Sequence, residues 1–92
     1  MKGDFKVEIL KVSSKSKAQK VAGAIANIIR KDGCLEAQMV GAGALNEGVK
    51  AVIIARGYLA PSGIDLVCTP SFVDIKIDDI PKTAIKLIIE KK

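Results

Sequence analysis

The 92-residue sequence predicts an α+β fold: a two-layer α/β sandwich in the order βαβαββ, with two helices on one face of a mixed four-stranded sheet. Three observations predict it. Two segments with helical spacing each follow a run of alternating apolar residues, so two βα units stand in series. Two further alternating runs flank an Asp-Asp-Ile-Pro turn near the end of the chain, as in a terminal hairpin. No linker, repeat or low-complexity tract interrupts the chain, so residues 1–92 read as one domain.

The first strand is expected over residues 5–12, FKVEILKV, where Phe5, Val7 and Ile9 alternate with charged neighbours. SSKSKAQK breaks that pattern, and Ser16 followed by Gln19 has capping-box spacing, so a helix should begin there. Val21, Ala22, Ile25, Ile28 and Ile29 form one apolar stripe, with Lys17, Lys20, Asn27 and Lys31 away from it. Arg30 and Lys31 suit the negative end of the helix dipole, and Asp32-Gly33 supplies a residue that tolerates positive φ.

Residues 34–40 form the second strand, with Leu35, Ala37 and Met39 on one face. Gly41 and Gly43 turn the chain into a second helix expected to reach about Ala55, stopped by Gly57 and then Pro61-Ser62-Gly63. The third strand starts at Ile64 and is interrupted at Pro70, which suits a sheet edge or a bulge because proline has no N–H for a central ladder. Alternation resumes at Val73, Ile75 and Ile77, turns at residues 78–81, and ends in a strand carrying Thr83, Ile85, Leu87 and Ile89.

The second helix is apolar on almost every side. Ala44, Gly48, Ala51 and Ala55 make a line of very small residues that admits another backbone, while Ile53 and Ile54 have no evident cover. A helix apolar all round is buried on more than one side. In a chain this short the second side is expected to be another copy, in a two-fold homodimer with Ala51, Ile53 and Ile54 at the interface.

Composition narrows the chemistry. Hydrophobic residues make up 49% of the chain and aromatics 3%, so the core must be aliphatic. There is no histidine, which removes the commonest general base and metal ligand. Cys34 and Cys68 stand apart in strand-like sequence and read as buried thiols rather than a disulfide or metal pair. Asp78-Asp79 reads as turn chemistry, Asp65 and Asp74 as solvent-side positions, and no serine has an activating base nearby in sequence. These readings predict a non-enzyme without cofactor, metal or small-molecule substrate. The start MKGDFKVE has no apolar signal core and no segment is long and apolar enough for a bilayer, so the expected location is cytoplasmic, with no membrane partner.

The net charge of +5 favours polyanions. The Gly41-Ala42-Gly43 junction resembles a phosphate cradle, but a dinucleotide fingerprint needs glycine at Asn46 and a P-loop needs Gly-Lys-Ser/Thr. Glu47, expected in the first helical turn, would repel a phosphate. The better anion site is the mouth of the first helix. There Lys15, Lys17 and Lys20 lie beside Ser14 and Ser16, donor types that grip DNA or RNA phosphates. Lys50 is a poorer candidate. Without an aromatic platform, binding should be backbone-driven and salt-sensitive. The alternative is a protein-interaction module that assembles through the second helix and exposed sheet edges.

GAGALNEGVKAVIIARG, the loop APSGIDLVCTPSF, the ending TAIKLIIE and the opening KVSSKSKAQKVAGAIA together resemble the stage V sporulation protein S family of bacteria, over nearly the whole chain. That family is in turn similar to the Alba chromatin proteins, and the resemblance implies their βαβαββ sandwich, nucleic-acid binding as a dimer, and a link to spore development and septation. The Alba lysines between the first strand and first helix correspond to Lys15 and Lys17. Ala42 stands where the Alba junction carries arginine, Glu47 stands where the helix often carries a positive side chain, and KIDDIPK is expected to replace the long basic hairpin arm with a short acidic turn.

Overall fold

The computed structural model describes residues 7–92. Its elements are β1 (Ile9–Val12), α1 (Ala18–Asp32), β2 (Cys34–Met39), α2 (Ala42–Leu59), a single 3₁₀ turn (Ala60–Ser62), β3 (Leu66–Ile77) and β4 (Ile80–Lys91). The four strands form one sheet in the order β1-β2-β4-β3, with β1 parallel to β2 and the other pairs antiparallel. This is the predicted βαβαββ sandwich with a mixed sheet. Each parallel connection needs a crossover helix, and α1 supplies the one between β1 and β2.

Leu35, Ala37 and Met39 of β2 lie opposite Ile89, Leu87 and Ile85 of β4, and this face meets the helices. The largest fully buried side chains are Ile25, Ile29, Leu35, Met39, Leu59 and Ile89, so the core is aliphatic as the composition requires. α1 buries Ala18, Ala22, Ile25, Ala26, Ile28 and Ile29, so the expected stripe faces the core except at Val21, which is half-buried. Gly33 closes it with φ 83°, its N–H donating to the Ile29 carbonyl at 2.9 Å.

Four local expectations need correction. Phe5, the start of the expected first strand, lies outside the described residues, and the described strand begins at Ile9. The capping box does not form: Lys17 is the N-cap, with no side-chain bond to the helix. The Ser16 Oγ instead accepts the Ser13 N–H at 2.9 Å, and the Ser13 Oγ accepts the Lys15 N–H at 3.2 Å, so the hydroxyls knit the preceding loop. Third, α2 continues through Gly57 to Leu59, because Leu59 is buried in the core. Burial of that last turn outweighs the roughly 1 kcal/mol helix penalty of an internal glycine.

The fourth correction concerns the terminal hairpin. β3 runs unbroken through Pro70, and the turn is only Asp78-Asp79, both at positive φ (52° and 62°). That is the backbone twist of a two-residue hairpin turn, which aspartate tolerates. A two-residue turn makes its flanking pair, Ile77 and Ile80, a hydrogen-bonded pair. Counting back by twos puts Pro70 where an N–H would point away from β4. β3 is an edge strand, so the missing donor costs the ladder nothing. The expected short turn is therefore the tip of a long arm. β2 pairs with β4 only as far as Met39 opposite Ile85, while β3 and β4 go on for five more pairs, from Val73 opposite Ala84 to Ile77 opposite Ile80. Five residues at about 3.4 Å each carry the tip ~17 Å past the end of β2.

Candidate nucleic-acid interface

Both helices begin at the same end of the sheet, because each follows a parallel strand. The Gly-x-Gly junction brings their N-termini together. Gly41 has φ 89° and ψ 162°, backbone geometry that is nearly exclusive to glycine. Gly43 faces the loop before α1 so closely that an added β-carbon would sit 2.9 Å from the Ser14 Cβ. The motif serves turning and close packing, as expected from its failure to match a phosphate fingerprint. Its consequence is electrostatic all the same: two sets of unpaired helix N–H groups converge beside the loop of residues 13–17.

Lys15, Lys17 and Lys20 are all exposed at this end, and among the described residues none has an ion-pair partner. Ser14 is exposed and Ser16 half-buried. An open groove of about 450 Å³ continues from the loop along α2, lined among others by Ser16, Lys17, Gln19, Lys50, Ile53 and Ile54. Thus five residues assigned to phosphate or partner contacts from separate parts of the sequence, Ser16, Lys17, Lys50, Ile53 and Ile54, border one depression. Lys15 and Lys20 do not line it.

Glu47 also borders the groove, but its expected place in the first turn is wrong, because α2 starts at Ala42 and Glu47 falls in the second turn. There it accepts an ion pair from Lys50 at 2.9 Å.

The α2 surface divides differently from the sequence reading. Ala44, Gly48, Ala51 and Ala55 are all buried within the chain. A β-carbon at Gly48 would overlap the Met39 sulfur, so the small-residue line serves approach to the sheet and α1 rather than to a second copy. Ala51, at 0% exposure, is thereby removed from any interface. Ile54 is half-buried against the core, whereas Ile53 is 61% exposed and, with Val49, forms the outward apolar stripe.

The cysteines are not the buried pair expected from the sequence: Cys34 is half-buried and Cys68 exposed. They lie opposite Glu90 and Ile89, neighbouring residues of β4, and so occupy opposite faces of the sheet. Among the described residues no helix is long and apolar enough to cross a membrane. Sequence reasoning also passed over Phe72, the most exposed large apolar side chain at 77%. Its signal was the Asp-Asp pair, which, read as a two-residue turn, extends the hairpin and places Phe72 at the base of the arm.

At the other end of α2, the Asp65 Oδ1 accepts the Leu66 N–H at 2.8 Å and the Arg56 Nε–H at 3.0 Å. The Leu66 amide, and after it Arg56, hold this carboxyl below its ordinary value of 3.8. A depressed folded-state pKa gives stability that is present above the unfolded value and lost as the pH falls through the folded one. We expect Asp65→Asn to be less stable than the parent at neutral pH and the gap to close below about pH 4, in thermal unfolding followed across pH. A gap independent of pH would assign the effect to packing rather than charge.

A family model described as Stage V sporulation protein S (SpoVS) matches residues 8–92, which is nearly all of the chain and every described element.

Proposed function

The chain belongs to the stage V sporulation protein S family, whose role is in sporulation, and from that premise we propose that it works as a non-enzymatic homodimer that grips nucleic-acid backbones in regulating sporulation or cell division. The observation that carries this reading is the convergence of two helix N-termini beside exposed Lys15 and Lys17 of the loop and Lys20 of the first turn of α1, none of which has an ion-pair partner among the described residues. Lys15, Lys17 and Lys20 supply the charge, and Ser14 and Ser16 supply hydroxyl donors beside it. With only three aromatic residues in the chain, the contact is to phosphates rather than bases, on DNA or RNA.

The experiment is a fluorescence-anisotropy titration of duplex DNA and RNA at several salt concentrations. If the three lysines of each protomer engage, six contacts per dimer give affinity falling with a log–log slope of about −5, or roughly a thousandfold between 50 and 200 mM salt. No binding at 50 mM would end the nucleic-acid reading. It would favour the alternative of a protein-interaction module, which the exposure of Phe72 (77%) and Ile53 (61%) supports.

The dimer has its own test. Ile53→Glu changes a side chain that is 61% exposed, so it should leave the protomer folded while shifting sedimentation toward monomer. Ile54→Glu is the weaker probe, because Ile54 also packs on the core. A dimer unchanged by Ile53→Glu would exclude the outward face of α2 as the interface.

A further inference from the structure

The arm formed by β3 and β4 reverses the amphipathicity of the sheet it grows from. In the body the apolar residues face the helices: Leu66, Leu87 and Ile89. Beyond Phe72 and Ile85 that face carries Asp74, Thr83 and Lys76, while Val73, Ile75, Ile77 and Ile80 lie on the other with one charged residue, Lys82, opposite Ile75. Ile77 and Ile80 are directly opposed at the tip, and remain 43% and 56% exposed. Between them protrude Asp78 and Asp79, which make no ion pair among the described residues. The tip is thus apolar at its flanks and acidic at its end.

Those two features restrict what the tip can meet. The carboxylates at its very end seek a cation, and the isoleucines beside them seek an apolar surface. What fits is a surface that is apolar and basic together, and the groove at the mouth of α1 is one: Ile53 and Ile54 form its apolar wall, with Lys17 and the Lys50–Glu47 ion pair at its border. Arm and groove lie at the same end of the sheet, since the arm extends past the Met39 end of β2, where α2 begins. Exchange of tips between two copies about a two-fold axis is reciprocal, so it closes as a pair.

We propose that two copies of this chain associate by reciprocal exchange of their arms: Ile77 and Ile80 of each copy cover Ile53 and Ile54 of the other, and Asp78 and Asp79 meet Lys17 and Lys50. The inference rests on the self-association proposed above and specifies its geometry. Lys50 keeps its contact with Glu47, so Lys17 carries most of the attraction to the tip. Lys15 and Lys20, outside the groove, stay available to phosphate, so a dimer with exchanged arms offers four lysine contacts rather than six and a salt slope of about −3.6.

Asp78→Asn/Asp79→Gly removes both charges while installing the residue pair that two-residue turns favour most, so the arm keeps its shape. Sedimentation equilibrium over a range of protomer concentrations should show the dimer of this variant weakened about tenfold at 50 mM salt, with little further change at 500 mM. The parent should weaken with salt to the same level. A variant that dimerises as tightly as the parent, with the parent's salt dependence, overturns the arm exchange. If Ile53→Glu dissociates the parent dimer in that case, the dimer itself stands and only its geometry fails. If the parent is monomeric throughout, both readings fail. A second measurement uses chains lacking native thiols (Cys34→Ala/Cys68→Ala), one carrying Ile80→Cys and the other Lys17→Cys. When the two are mixed and oxidised, a disulfide between unlike chains is the expected product. Cross-links only between like chains would refute the geometry.

Discussion

Reversing Lys15, Lys17 and Lys20 to glutamate together should abolish nucleic-acid binding at any salt concentration where the parent binds. The three changes remove six charges, taking the formal net charge from +5 to −1. They also place carboxylates where two helix N-termini would otherwise favour phosphate. At 50 mM salt we expect affinity to fall by at least about a hundredfold, because the three lysines that set the salt slope are gone from each protomer. The control is Lys31→Glu/Lys91→Glu/Lys92→Glu, which makes the same change in net charge at the opposite end of the sheet. Equal losses in the two triple variants would mean that overall charge, rather than the loop, attracts the polyanion. A loss confined to the first variant assigns binding to the loop. Lys20→Gln alone should weaken binding uniformly across sequences and reduce the salt slope by about one per protomer, as expected of a side chain that grips phosphate.

The fold was legible because its elements follow apolar periodicity. Val21, Ala22, Ile25, Ile28 and Ile29 announce one face of α1, and Leu35, Ala37 and Met39 announce the core face of β2; all but Val21 are buried. Pro70 announced an edge, and β3 is an edge strand. What periodicity does not encode is which of several apolar faces a helix gives to its own core. The small-residue line of α2 suits a second copy and its own sheet equally well, and only the packing of Gly48 on Met39 decides between them. The same limit applies to Ser16. Its spacing from Gln19 satisfies a capping box, but competition from the Ser13 N–H three residues upstream lies in backbone geometry rather than in residue types. The lysines of the candidate interface were legible as a cluster. Their proximity to the α2 N-terminus was not, because it depends on the contact between Gly43 and Ser14, which are distant in sequence.

The end of α2 is where sequence punctuation and packing disagree most, and Leu59→Ala tests which one governs. Gly57 reads as a stop, yet the helix passes it and delivers Leu59, at 0% exposure, to the core shared with Leu35, Ile29 and Ile89. Truncating a fully buried leucine loses its transfer free energy and leaves a cavity, at a cost of about 2–5 kcal/mol. In a domain whose total stability is on the order of 5–15 kcal/mol, such a loss should lower Tm by roughly 10 °C or more. Ile53→Ala, one turn and a half earlier on the outward face, should stay within about 0.5 kcal/mol in the monomer. The two variants need comparison at one protomer concentration, since dimerisation raises apparent stability by mass action and Ile53→Ala would weaken that coupling. If Leu59→Ala cost less than about 1 kcal/mol, the last turn of α2 would be frayed in solution and Gly57 would be the helix end. A full-sized loss instead means that a single buried leucine holds two helical residues beyond a glycine. It would also mean that Arg56, in that same last turn, is held in reach of Asp65 by the core rather than by their exposed ion pair.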